Sequence, residues 1–203
     1  AQGVRRYGFH GLSLTYLLEA HERLAGPQVA RGRTILAHLG NGASLTAVFE
    51  GRSIDTSMSF TPAGGLMMGS RSGDLDPALG PFLHRSGQMA PEQFAEMIEH
   101  ASGLLGISET SSDMRDLLAR EGEDERAAEA VALFCYQAKK WVGAYAAALG
   151  GVDTLIFSGG IGENAAPVRE RICRGLGFLG IELSSERNAA AADVISADGS
   201  RVT

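Results

Sequence analysis

His38-Leu39-Gly40-Asn41-Gly42-Ala43-Ser44 is the stretch on which the fold turns. It lies between an apolar run, Thr34-Ile35-Leu36-Ala37, and an alternating one, Leu45-Thr46-Ala47-Val48-Phe49. Both flanks have the length and composition of strands. Gly40, Asn41 and Gly42 suit a tight hairpin, since Gly and Asn tolerate positive φ. A tip without Cβ atoms also lets backbone N–H groups approach a phosphate closely. An ordinary Asn-Gly turn accounts for the same residues, so the loop gains meaning only if other glycine-rich segments converge on it.

Outward from the hairpin, Arg52-Ser53-Ile54-Asp55 reads as a third strand reached through a turn at Glu50-Gly51. Three consecutive strands predict an antiparallel meander opening an α/β domain. Upstream, Ser13 to Leu24 reads as a helix with Ser13 as its cap and Gly26-Pro27 closing it. Just before it, Arg5-Arg6-Tyr7-Gly8-Phe9-His10-Gly11 places a histidine between an aromatic and a glycine. His10 there can donate a hydrogen bond to a transferring group, or be a half-buried structural histidine.

Downstream lies a second glycine-rich segment, Thr61-Pro62-Ala63-Gly64-Gly65-Leu66-Met67-Met68-Gly69-Ser70-Arg71-Ser72-Gly73-Asp74. It makes a poor core element and a good ligand-facing loop. Arg71 presents a planar, permanently charged fork matched to phosphate or carboxylate oxygens. Asp74 is expected to orient Arg71, Met67 and Met68 to pack, and Asp76-Pro77 to begin a helix running to about His84. A helix is predicted from Pro91 to Ser102, and Gly103 to Ser108 reads as a loop. Ser111-Ser112-Asp113 then caps a helix opening with Met114 and Arg115.

A long Ala-rich helix follows to Leu149, with Val131, Phe134, Cys135, Ala138, Val142 and Tyr145 on its buried face and Gly150-Gly151 ending it. Asp153 to Phe157 is a buried-type strand entering a third glycine-rich turn, Ser158-Gly159-Gly160-Ile161-Gly162-Glu163-Asn164, before a helix from Ala166 to Leu176. Strand, glycine-rich turn and helix is an arrangement in which a nucleotide meets backbone at a helix start. The turn is neither the dinucleotide fingerprint nor a Walker A loop.

Composition bounds the alternatives. At 203 residues, 44% hydrophobic and 21% charged, the chain is globular, one large domain or two small ones, with ample core. A formal net charge of −6 gives no reason to expect nucleic acid or an anionic membrane surface as partner. Cys135 and Cys173 lack metal spacing and read as buried thiols. With no apolar run of membrane-spanning length and no signal peptide, a cytoplasmic location is the simplest reading. The opening at Ala1 and the strand-like close at Arg201-Val202-Thr203 suggest a fragment.

Taken together, the motifs resemble the acetate kinases, members of the superfamily of sugar kinases, heat-shock 70 proteins and actin. The resemblance rests on Arg6-Tyr7-Gly8-Phe9-His10-Gly11, His38 to Ser44, Asp55-Thr56-Ser57-Met58, Thr61-Pro62, Gly65 to Gly69, Arg71-Ser72-Gly73-Asp74, Ser111 to Arg115 and Gly159 to Asn164, spread in the family's order over nearly the whole chain. It implies an actin-like (ribonuclease H-like) ATPase fold with a mixed sheet and helices on both faces. Residues 1–203 would form one such domain, the carboxy-terminal half of a two-domain kinase.

The implied reaction is in-line transfer of the γ-phosphoryl group of ATP to acetate, with Mg²⁺, giving acetyl phosphate and ADP. His10 and Arg71 would bracket the transferred group. His38, Leu39, Gly40, Asn41 and Gly42 would cradle the phosphates. Asp113, Met114 and Arg115 would border the adenosine, with Gly160, Ile161, Gly162, Glu163 and Asn164 beneath it. Phe9 and Pro62 would line the acetate pocket, with Leu12 close by.

The family carries Thr-Ser-His where this chain has Leu12-Ser13-Leu14, a change bearing on acyl-group preference. Ala63-Gly64 stands for Leu-Glu and Ser70 for Thr. The family's metal-side Asn and Glu, its carboxylate-binding Arg and its catalytic Asp match nothing within residues 1–203, so no metal ligand is expected here and the fragment alone is expected to be inactive. A propionate or other short-chain carboxylate kinase, and a non-catalytic nucleotide-binding module, are the alternatives. The resemblance also implies a homodimer.

Overall fold

The computed structural model describes residues 3–203. Its elements run α1 Gly11–Ala25, α2 Pro27–Ala30, β1 Thr34–Leu39, β2 Ala43–Phe49, β3 Arg52–Thr56, α3 Leu79–Arg85 and α4 Pro91–His100. They continue as α5 Gly103–Ser108, α6 Met114–Arg120, α7 Glu125–Leu149, β4 Thr154–Ser158, α8 Gly159–Asn164, α9 Ala166–Cys173 and α10 Ser185–Ala189. The sheet order is β3-β2-β1-β4, with β1 antiparallel to β2 and parallel to β4. The expected meander and mixed α/β sheet are both present.

The alternation of each strand decides which helix it meets. Ile35, Ala37 and Leu39 of β1 and Ala43, Leu45 and Ala47 of β2 face the core built with α7, whose Phe134, Ala138, Val142 and Tyr145 are buried. Leu36 and Val48 point the other way, against Leu14, Leu17 and Leu18 of α1. Helices therefore cover both faces. His38, Ser44 and Ser158 share the α1 face, because β1, β2 and β4 pair them in one row: His38↔Ser44 and His38↔Ser158.

The turn at Glu50-Gly51 has both residues at positive φ (51° and 71°), the geometry of a type I′ hairpin. A bulge in β3 leaves Ile54, opposite the Ala47–Val48 step of β2, unpaired and exposed. At the open edge of β4, Thr203 N–H donates to Asp153 O and Leu155 N–H to Thr203 O, so the strand-like close of the sequence is bonded to the sheet.

Several expectations shift. The helix α1 starts at Gly11, not Ser13; its cap position is His10, in the left-handed region (φ 63°, ψ 17°), and the Ser13 hydroxyl is engaged elsewhere. The helix α3 begins at Leu79, after Asp76 has closed a turn by accepting from Ala78 N–H. Residues 103–108 form a helix rather than a loop, because neighbouring carbonyls satisfy its first amides: Leu104 N–H donates to Met68 O and Leu105 N–H to Gly69 O. Gly159 to Asn164 winds into α8 instead of a plain turn, and the helix after it ends at Cys173.

Candidate active site

The site gathers at the carboxyl ends of β1 and β4, where an α/β sheet leaves a crevice for ligands. The β1–β2 tip is three residues long, since Leu39 still pairs with Ala43. Its glycines do not adopt positive φ, contrary to the expectation from composition. Their place is marked by what lies over them instead, with Gly40 the more tightly packed of the two, 3.3 Å from Gly42 O at its Cβ position. A Cβ on Gly42 would stand 3.4 Å from an Arg71 guanidinium nitrogen and 3.6 Å from His10 Nε2. Those two side chains thus meet over the backbone of the tip.

Asn41, exposed at the end of the tip, is tied to the second glycine-rich segment. Its carbonyl accepts from Gly69 N–H at 3.0 Å, and its carboxamide lies where a Cβ on Gly69 would have to be. Ser112 O flanks the same spot, 3.3 Å from it, which brings the start of α6 alongside. The loop from Gly65 to Gly73 is braced from beneath. Met67 N–H donates to Gln137 Oε1 of α7 at 2.8 Å, and Met67 and Met68 are buried.

Asp74 does not orient Arg71 as expected; its carboxylate accepts from Gly65 N–H at 2.8 Å and holds the loop closed. Gly73 (φ 74°) passes directly over the backbone of residues 65–67, too close for any side chain. Arg71 is half-buried and, among the described residues, makes no ion pair; its guanidinium donates weakly to Met68 Sδ at 3.8 Å. An unpaired, half-buried guanidinium is an open anion site.

His10 stacks on His38 with ring centroids 4.2 Å apart and 30° between planes. His10 Nδ1 lies 2.8 Å from Ser44 Oγ. His38 Nδ1 lies 3.1 Å from Ser13 Oγ and 3.2 Å from Ser158 Oγ. Burial, then His38 and then Arg71 hold the His10 pKa down to about 4, so His10 is an uncharged imidazole at neutral pH. Burial lowers His38 too, against the opposing pull of Glu163. The cleft therefore offers one permanent cation and neutral donors, a set suited to a charge-dispersed phosphoryl group.

The third glycine-rich segment abuts the first. Gly159 (φ 77°) packs on the backbone of Leu39, and Gly162 is buried against β1 and β4. Gly159 N–H donates to Glu163 Oε1 at 3.0 Å, and Asn164 Nδ2 donates to Gly160 O at 3.0 Å. Arg169, only 3% exposed, closes α8 by donating to Gly162 O, Glu163 O and both oxygens of Asn188.

Asp113 caps α6 by accepting from Arg115 N–H at 2.9 Å and also pairs with the exposed Arg115 guanidinium, which draws its pKa to about 2. Met114 beside it is buried.

The expected acyl-pocket residues differ in exposure. Phe9 lines a cavity with Gly8, Leu14 and Leu36, Pro62 is half-buried outside that lining, and Leu12 is 93% exposed. Ser13, Ser44, Gln137, Ser158 and Arg169 were not singled out as site-supporting residues from sequence. Ser44 and Ser158 carry a readable signal, standing at the strand end beside each glycine-rich segment.

The acetokinase family model matches residues 1–203. An acetate kinase from Rhodopseudomonas palustris is 48% identical over 204 residues, covering 100% of this chain and 51% of the relative. The crystal structure of Porphyromonas gingivalis acetate kinase superposes with a TM-score of 0.94 at 44% identity, over 99% of this chain and 51% of that one. A propionate kinase from Francisella tularensis gives a TM-score of 0.91 at 37% identity, over 98% and 52%. The chain spans about half the length of the curated relatives it matches.

Proposed function

The chain belongs to the acetokinase family, and we propose that it is the nucleotide-binding half of an acetate kinase. In this reading ATP phosphates lie along His38 to Gly42, with Asn41 against the outer ones. The adenosine rests between Asp113–Arg115 and Gly160–Asn164. Arg71 and His10 face the γ-phosphoryl group as it passes in line to acetate, giving acetyl phosphate and ADP.

One observation supports this above the others: an Arg71 guanidinium without a carboxylate partner meets His10 over the backbone of Gly42. A phosphoryl group in flight spreads negative charge over its equatorial oxygens, so catalysis consists mostly of positioning and charge stabilisation. A preplaced cation and a neutral N–H donor supply both without having to shed a bound carboxylate first.

Mg²⁺ belongs in this proposal with the nucleotide phosphates. Among the described residues no group of three or more His, Cys, Asp or Glu is arranged to hold a metal ion. Mg²⁺ commonly keeps most of its waters and binds through substrate phosphates. No described helix is long and apolar enough to cross a membrane, and the reading places the protein in the cytoplasm as a homodimer.

The test is a hydroxamate assay on the protein at its family's full length, with acetate and propionate compared, alongside ADP titration of the 203-residue chain. Acetyl hydroxamate formation and saturable ADP binding are expected. Preferential turnover of propionate would move the acyl assignment, and absence of ADP binding would sink the nucleotide site.

A further inference from the structure

Ser44 is fully buried at the start of β2, on the α1 face of the sheet, and its hydroxyl sits 2.8 Å from His10 Nδ1. A serine hydroxyl carries one proton to donate and two lone pairs to accept with. Among the described residues Ser44 Oγ makes no other hydrogen bond. A buried hydroxyl proton without an acceptor is costly, so the proton goes to Nδ1. An Nδ1 that accepts cannot carry a proton. We infer that Ser44 is a positioning residue that fixes His10 as the neutral Nε2–H tautomer, aiming an uncharged N–H donor at the anion held beside Arg71.

The geometry is consistent at three further points. The Nε2 end of His10 is the end that faces Gly42 and the Arg71 guanidinium. A donor there suits an anionic ligand, whereas a lone pair would repel it. The stack on His38 leaves the imidazole little freedom to flip about χ2. His38 is held differently, since its Nδ1 has two hydroxyls, Ser13 and Ser158, either of which can donate or accept. Of the two stacked imidazoles, His10 is the one whose tautomer is dictated by a single buried partner. A low pKa keeps this arrangement intact at neutral pH, because protonation would turn Nδ1 into a second donor facing the hydroxyl.

The tautomer stands by itself; its use toward a phosphoryl group rests on the kinase reading above. Long-range ¹H–¹⁵N correlation spectra of the ¹⁵N-labelled chain at neutral pH report it directly, with His10 assigned by the signals lost in His10→Gln. An unprotonated Nδ1 and protonated Nε2 are expected. In Ser44→Ala the Nε2–H to Nδ1–H ratio should fall by roughly fivefold, the equivalent of one hydrogen bond. Ser44→Cys, which keeps a weaker donor in place, should fall between them and serves where the alanine variant does not fold.

A protonated Nδ1 in the unsubstituted protein, or an unchanged ratio in both variants, would overturn the inference. ADP titration of the same sample separates the two ideas. Loss of ADP binding with the tautomer as described removes the kinase reading and leaves the role of Ser44 standing.

Discussion

The carboxamide of Asn41 lies across Gly69, filling the volume that any side chain at that position would occupy. Two glycine-rich segments far apart in sequence are thereby fitted into one surface. Gly69→Ala should push the carboxamide aside while leaving the Asn41 carbonyl bonded to the loop amide. Because the displaced group is the end of a flexible side chain, unfolding in urea should change by no more than about 1 kcal/mol. ADP affinity should drop roughly tenfold, the worth of one well-placed polar contact. Calorimetric titration beside a urea curve checks both, and unchanged affinity would detach Asn41 from the phosphates.

Arg71 combines an open guanidinium with a light structural duty. Arg71→Ala in the full-length protein should lower turnover by about 10³-fold or more, within the range known for cations that act on transferring phosphoryl groups. Stability should stay within about 0.5 kcal/mol, since no ion pair is broken. Arg71→Lys should recover only part of the rate, because a point charge cannot reproduce a planar fork. Equal hydroxamate formation by the alanine variant would contradict the proposed role.

Acid should reveal the buried imidazoles. The native His10 pKa is about 4 against an ordinary 6.5, so between those values the unfolded chain takes up a proton that the folded one refuses. Stability is full above pH 6.5 and is lost as pH falls toward 4. His21 and His38 are lowered as well and act with the same sign. Asp113, drawn from 3.8 to about 2 by Arg115, contributes only below that window. His10→Gln should therefore flatten, without abolishing, the decline of the urea midpoint between pH 6.5 and 4. An identical slope in both proteins would count against it.

Arg169 supports the wall beneath the proposed adenosine site. Its guanidinium serves four carbonyl oxygens from two segments, on Gly162, Glu163 and, twice, Asn188. Arg169→Met keeps much of the stem's bulk and orphans those acceptors. A loss of roughly 3 kcal/mol in urea unfolding is expected. Hydrogen exchange should show faster amides in residues 159–164 with those of β1 and β2 unaffected.

The elements most legible in the sequence were those whose pattern is local. The meander, the long helix with its apolar stripe from Val131 to Tyr145, the cap at Asp113 and the C-terminal Gly150 all follow from periodicity and capping chemistry. Segments governed by distant partners were misread. Gly103 to Ser108 looks like a loop because its N-terminal amides are satisfied by carbonyls some thirty-five residues upstream. Asp74 looks like a partner for Arg71 because they are near in sequence, yet it bonds Gly65 across the loop. The glycines of the tip suggest backbone freedom, yet neither adopts positive φ, and what marks Gly42 is that Arg71 and His10 lie over it. Ser44 is legible in sequence only as the end of the glycine-rich motif; its contact with His10 needs the fold, which brings residues 34 positions apart together.

That register has a consequence for how the protein tolerates change. Ser44 joins the row of His38 and Ser158 only because three residues separate the ends of β1 and β2. Adding or removing one residue there puts the following strand out of phase, turning Ala43 or Leu45 toward the imidazoles and sending the serine into the oily side. The tip thus works as a spacer gauge: its length cannot be altered without disconnecting His10 from the hydroxyl that sets it.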